Sequence, residues 1–138
     1  MKLNHWTDYY LQACQTHGVA GDTRRGKTRH NFRLLGKRVL TFEFRPYRWV
    51  FYRFEREAFL AHVDPRGLTK APGLHEPGPQ PCALFTGTLP EDDEALKGLI
   101  DRLIAAVASG SMVPVSKGET GEPGTESDDT SVAADTVA

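Results

Sequence analysis

Basic and aromatic side chains are concentrated together in one segment of the chain, from Arg24 to Arg56. The segment holds eleven of the seventeen Lys and Arg residues and only two acids, a formal charge of +9 in a protein whose total is −1. It also holds eight of the thirteen aromatic residues. Basic side chains release counterions from a phosphate backbone, and aromatic rings stack on unpaired bases. The combination predicts a surface that binds single-stranded or structured nucleic acid, without distinguishing DNA from RNA.

The candidate contacts are most of the basic residues of this segment and two aromatic residues of its third predicted strand. They are Arg24, Arg25, Lys27, Arg29, Arg33, Lys37, Arg38, Arg45, Arg48, Trp49, Phe51 and Arg53.

Other chemistries are less well supported by the residue pattern. Cys14 and His17 have the spacing of a metal-ligand pair, but a structural zinc site usually takes its paired ligands from tight turns rather than a helix end. Gly21–Thr28 matches Gly-x4-Gly-Lys-Thr, yet a helix precedes it and a strand follows, the reverse of a P-loop. The chain has no Gly-x-Ser-x-Gly and no Ser-x-x-Lys motif. The sequence predicts no metal and no cofactor, and it favours a protein that is not an enzyme.

Hydrophobic spacing predicts a helix, an antiparallel meander and a second helix. Aromatic and small residues recur at helical spacing over residues 5–17, and Gly18 marks the end of that helix. From His30 onward apolar and polar residues alternate, as in strands that bury one face. The elements between the helices are a polar loop over Gly21–Lys27 and strands over 30–34, Arg38–Arg45, Arg48–Arg56, Ala58–Val63 and Cys82–Leu89.

Pro90 begins the strongest helical pattern in the chain. Glu91–Glu94 place four acids in its first turn, where they complement the helix dipole, and Gly110 follows as a stop. The predicted fold is α+β: an N-terminal helix, a sheet of about four to five antiparallel strands, and this helix packed on the sheet. The apolar stripe of the helix that begins at Pro90 consists of Leu96, Leu99, Ile100, Leu103, Ile104 and Val107.

The composition of the chain changes after Gly110. Residues 111–138 contain six acids and one Lys, with Val and Ala as their main apolar residues. Such a segment cannot bury enough apolar surface to offset its ordering entropy, which predicts a disordered acidic tail after a single α+β domain over residues 1–110. The two cysteines do not make a disulfide framework, and no apolar run approaches the length of a membrane span. These features predict a cytoplasmic protein with no membrane partner.

A sheet covered by helices on one side leaves its other face free. The face expected to meet the helices consists of Leu40, Phe42, Phe44, Val50, Tyr52 and Phe54. Large aromatic residues beside arginines on a solvated face could stack bases, or could be covered by the Pro-rich loop or by a second subunit. The free face would then present Arg45, Trp49, Phe51 and Arg53.

The stretch Phe32–Arg45, taken with Leu89–Asp101, resembles the PC4-type single-stranded-DNA-binding domain. That family joins a basic sheet to a C-terminal helix, and it dimerises. The resemblance implies binding to single-stranded DNA, a homodimer, and phosphate contacts from Arg33, Lys37, Arg38 and Arg45.

The stretch Arg48–Phe54, with 61–63 and 70–72, is similar to the strand pair of RelE-like toxin ribonucleases. That similarity implies that Arg48, Arg53 and Lys70 bind an RNA phosphate. Cleavage of RNA also needs a base near the 2′-hydroxyl, for which His62 is a candidate. A third alternative is a protein-interaction or inhibitor module, whose basic aromatic surface binds an acidic protein partner.

Overall fold

The chain forms a five-stranded antiparallel sheet in a computed structural model that describes residues 3–45, 47–74, 76, 78–87 and 90–115. The strands follow one another in sequence order across the sheet, so the predicted meander and the α+β class are confirmed. The elements are α1 Leu3–His17, β1 Gly21–Arg25, β2 Arg29–Leu34, β3 Lys37–Glu43, β4 Arg48–Tyr52, α2 Arg56–His62, β5 Pro81–Phe85 and α3 Pro90–Ser109.

Helix α1 lies on the sheet through aromatic residues at helical spacing. Trp6 and Tyr10 are buried against the sheet, with ring centroids 5.6 Å from Trp49 and 5.0 Å from Phe32, respectively. The helix ends at His17 and is followed by Gly18, whose φ of 69° is a conformation that glycine adopts without strain. The hydroxyl of Tyr10 also donates a hydrogen bond of 2.8 Å to the carbonyl of Arg33, which fixes α1 over β2.

Helix α3 packs beside α1 and buries the stripe that the sequence predicts. It begins at Pro90, carries acids in its first turn, and is followed by Gly110 at a φ of 83°. Its acids complement the positive end of the helix dipole, and its apolar face completes the core between helices and sheet. The buried residues are Leu96, Leu99, Ile100, Leu103, Ile104, Ala106 and Val107.

Two predicted elements are wrong. The polar loop expected over Gly21–Lys27 is largely the edge strand β1, which pairs with β2 through its backbone and therefore needs no apolar alternation. The strand expected over Ala58–Val63 is instead the helix α2. Phe59 and Val63 are both fully buried. A spacing of four residues places two side chains on the same face of either a helix or a strand, so the sequence pattern alone does not distinguish the two.

The folded part of the chain extends beyond the predicted domain end at Gly110. Met112 is only 4 % exposed, and its amide donates to the carbonyl of Ala106 at 3.1 Å. The amide of Val115 donates to the carbonyl of Arg53 at 2.9 Å, so residues 111–115 continue across the end of β4. The rest of the predicted acidic tail, residues 116–138, lies outside the described residues.

Candidate nucleic-acid interface

Trp49 and Phe51 do not form a solvated stacking surface, so the predicted free face is wrong. The register of β3 and β4 pairs Phe42 with Trp49 and Leu40 with Phe51. Residues paired across neighbouring strands point to the same face. Trp49 and Phe51 therefore join Leu40 and Phe42 under the helices, where they are 3 % and 0 % exposed. The sequence predicts Val50 and Tyr52 in that place, which is the opposite set of β4 residues.

Arg53 is a buried structural residue rather than a surface cation. It lies at the end of β4 with a φ of 80° and no exposed surface. Its guanidinium donates from Nε to the carbonyl of Arg38 at 2.8 Å and from Nη1 to the carbonyl of Val115 at 2.9 Å. It therefore joins the start of β3 to the C-terminal segment, and it is not available to a phosphate.

Two further predicted contacts are occupied by other parts of the protein. Arg38 is 2 % exposed, and its guanidinium lies over the ring of Tyr52 at 4.6 Å. Arg48 donates to Glu43 at 2.7 Å and makes a two-pronged contact with Glu76 at 2.7 and 3.1 Å. These carboxylates hold the pKa of Arg48 above its ordinary value. Both guanidinium groups are therefore occupied within the fold.

Arg33 and Lys37 lie apart from the remaining candidates. Arg33 Nε is 3.1 Å from a carboxylate oxygen of Asp22 on the neighbouring strand, although the angle is too poor for a hydrogen bond. Lys37 begins β3, at the end of the sheet where β2 and β3 are joined by their turn. Neither side chain belongs to the group described next.

Five basic residues lie at the opposite end of the sheet, which we call the basic end: Arg24, Arg25, Lys27, Arg29 and Arg45. Arg24 and Arg25 end β1, Lys27 lies in the β1–β2 turn, Arg29 begins β2, and Arg45 lies in the β3–β4 turn. The two turns touch, because the amide of Phe44 donates to the carbonyl of Thr28 at 3.1 Å. Four of the five side chains are exposed and the fifth is half-buried. Within the described part of the chain, none of the five forms an ion pair with an acid.

Aromatic rings accompany the basic end, but they are not the ones that the sequence indicated. The guanidinium of Arg25 lies 4.9 Å from the centroid of the half-buried Phe44 ring. Tyr47, in the same turn as Arg45, is 57 % exposed. A sequence signal for Tyr47 existed, since it follows Pro46 in a predicted turn and turns lie at the surface. Strand alternation instead predicts Trp49 and Phe51 as the stacking residues.

The four residues proposed for RNA cleavage do not form a cationic centre. Arg48 and Arg53 are held by carboxylates and carbonyls, as described above. His62 is exposed at the last turn of α2, and Lys70 is exposed beside β5, to which its backbone is bridged through Leu84. Two of the required phosphate-binding groups are therefore occupied within the fold.

Three buried titratable groups, His30, Cys14 and Cys82, are held in neutral forms. His30 is 6 % exposed, and neither ring nitrogen has a hydrogen-bond partner within the described residues. Burial, with a further contribution from Arg25, lowers the pKa of His30 to about 4. Burial likewise raises the pKa of Cys14 to about 11 and that of Cys82 to about 12. Such thiols are poor nucleophiles, because the thiolate is the reactive form.

Within the described residues, no three His, Cys, Asp or Glu side chains lie close enough together to hold a metal ion. That part of the chain also contains no helix with the length and apolar character needed to cross a membrane. Comparison with protein-family models, with curated protein sequences and with solved structures found no match.

Proposed function

We propose that this protein binds nucleic acid through the basic end of its sheet. The observation that supports this proposal is the placement of five cationic residues in and beside two touching turns, with none of them paired to an acid within the described part of the chain. Cations that already have an internal partner gain little from a phosphate, whereas unpaired exposed cations gain the full counterion release. The basic end is therefore a better phosphate-binding surface than the arginines of β4.

The basic end is suited to a flexible strand more than to the groove of a duplex. Three of its cations, Arg24, Arg25 and Arg29, lie on the β1–β2 hairpin, a two-stranded ribbon that could also follow a groove, so the preference depends on the adjoining aromatic ring and not on where the cations lie. Tyr47 stands in the adjoining turn with more than half of its surface exposed. An unpaired base could stack on this ring while the neighbouring cations hold its phosphates.

Salt titration of oligonucleotide binding tests the proposal. Each phosphate contact made to a single strand contributes about 0.7 to the slope of log affinity against log salt concentration. The double variant Lys27→Gln/Arg45→Gln should therefore lower the slope by roughly 1.4 if each side chain contacts one phosphate. The matched control, Arg66→Gln/Lys70→Gln, removes the same charge from exposed positions away from the basic end and should leave the slope nearly unchanged.

Equal loss of slope in the two double variants would show that only net charge matters, and the proposal would then be wrong. Absence of binding to oligonucleotides at low salt would have the same consequence. Stacking is measured separately with Tyr47→Ala, which should weaken binding by roughly 1–3 kcal/mol at an unchanged slope.

The predicted alternative, an acidic protein partner, would give different binding results. Polyglutamate would compete for the same cations, but it has no base to stack on Tyr47. Binding to polyglutamate that is tighter than binding to oligonucleotides, and insensitive to Tyr47→Ala, would favour that alternative. The predicted homodimer, the PC4-type resemblance and the RelE-like ribonuclease remain predictions.

A further inference from the structure

A cavity of about 340 Å³ lies between the ends of β3, β4 and β5 and the first turn of α3. Four aromatic rings line it, and the first turn of α3 adds two carboxylates on the other side. The aromatic residues are Phe42, Tyr47, Trp49 and Phe85, and the acids are Asp92 and Asp93. The volume is at the small end of the range for ligand pockets, which suits a compact group rather than a drug-sized molecule.

The aromatic wall is formed by inclined rings rather than by a flat stack. The ring of Phe42 lies 4.7 Å from that of Trp49 at 45° and 5.3 Å from that of Tyr47 at 50°. Phe42, Trp49 and Phe85 are each at most 5 % exposed. They therefore form a floor of low dielectric, while the 57 % exposed Tyr47 stands at the mouth. Aromatic faces carry partial negative charge, and this attracts a cation most strongly where water is excluded.

The charges around the cavity also favour a cation. Besides Asp92 and Asp93, the first turn of α3 contains Glu91. The charge of these three carboxylates exceeds the partial charge of about +0.5 at a helix N-terminus. The one basic residue that lines the cavity is Arg48, among the described residues. Its guanidinium is already neutralised by Glu43 and Glu76.

We propose that this cavity binds an alkylammonium group, such as a trimethylammonium head or a methylated lysine side chain. Its methyl groups would contact the aromatic floor and its charge would face the carboxylates at the mouth. A phosphate or carboxylate would be repelled by the same acids, and a neutral apolar ligand would gain nothing from them. The site is therefore distinct in charge preference from the basic end, and the proposal does not depend on nucleic-acid binding.

A matched pair of ligands tests the cation directly. Choline and 3,3-dimethylbutan-1-ol have the same shape, but only choline is charged. Binding is followed by NMR through the indole signal of Trp49. Choline should bind at least about threefold more tightly than the alcohol, the lower part of the range expected for a cation over a partly desolvated ring. Equal affinity, or no shift of the Trp49 signal by either ligand, would overturn the proposal.

The source of the ammonium group is decided by a second probe. N-acetyl-trimethyllysine amide carries the same head on a peptide side chain. If it binds more tightly than choline, the group belongs to a modified protein. If choline binds more tightly, the site takes a free small molecule. In either case the charged ligand must bind more tightly than its uncharged counterpart for the proposal to stand.

Variants at the mouth of the cavity test whether its aromatic and acidic side chains bind the cation, and they leave the buried residues of the floor unchanged. Tyr47→Phe keeps an aromatic face and should retain choline binding, whereas Tyr47→Leu should weaken it severalfold. Asp93→Asn should also weaken binding, while Glu57→Gln, which removes one exposed charge from α2, should not. Since Tyr47 also adjoins the basic end, Asp93→Asn must leave oligonucleotide binding undiminished. Choline affinity that is the same in all four variants would contradict the proposed binding of a cation in this cavity.

Discussion

Replacing Arg53 with Ala should damage stability rather than nucleic-acid binding. In the structure its guanidinium supplies hydrogen bonds to two main-chain carbonyls, at 2.8 Å to Arg38 and 2.9 Å to Val115. A hydrogen bond from a charged donor contributes about 1.5–3 kcal/mol, so the loss of both predicts a free energy of unfolding lower by roughly 3–6 kcal/mol. This is a large fraction of the total stability of a small domain.

The backbone of Arg53 supplies an internal comparison. Its φ of 80° is unfavourable for any residue with a Cβ atom, and Ala retains that cost. Arg53→Gly removes the same hydrogen bonds but relieves the strain, so it should be more stable than Arg53→Ala by about 1 kcal/mol. Arg53→Lys keeps one charged donor group, so its free energy of unfolding should lie between that of the wild-type protein and that of the Ala variant.

The assay is urea unfolding followed by circular dichroism, combined with the salt titration of oligonucleotide binding. A destabilisation by Arg53→Ala of less than about 1 kcal/mol would refute the structural role assigned to the two hydrogen bonds. A reduced salt slope in a variant that is still folded would refute its burial, because it would show that the guanidinium contacts phosphate.

Two further predictions concern the core and the end of the chain. The pKa of His30 is lowered from 6.5 to about 4, mainly by burial, so the unfolded chain takes up a proton before the folded protein does. Stability should therefore fall by about 3 kcal/mol between pH 6.5 and pH 4; His30→Phe should lose this dependence and His62→Gln should retain it. A chain that ends at Gly110 should be less stable by roughly 2–5 kcal/mol, since it lacks the buried Met112. A chain that ends at Val115 should unfold like the full chain, and equal stability of the two truncations would contradict docking of residues 111–115.

Sequence periodicity determined the helices that are long enough to repeat a pattern. The stripe of α3 recurs over about three turns, and the helix is bounded by Pro90 with the acids that follow it at one end and by Gly110 at the other. These signals are local, since each residue acts on neighbours within one or two turns. The antiparallel order of the strands was also predicted, because short turns join strands that are adjacent in sequence.

Short elements and strand faces were decided by tertiary contacts. Alternation in β4 is equally consistent with either face, and only pairing with β3 places Trp49 and Phe51 toward the helices. Seven residues are too few for periodicity to distinguish a strand from the helix α2.

The function of each arginine could not be predicted from the sequence for the same physical reason. A dense run of basic residues indicates total charge, but the charge available to a ligand depends on which side chains already have partners. Arg48 meets Glu76 and Arg53 meets Val115, at separations of 28 and 62 residues. Those partners are brought together only by the folded sheet and the segment that crosses it. The sequence therefore determined that the surface near β1–β4 is basic, and the tertiary structure decided that the five residues of the basic end form no ion pair within the described part of the chain.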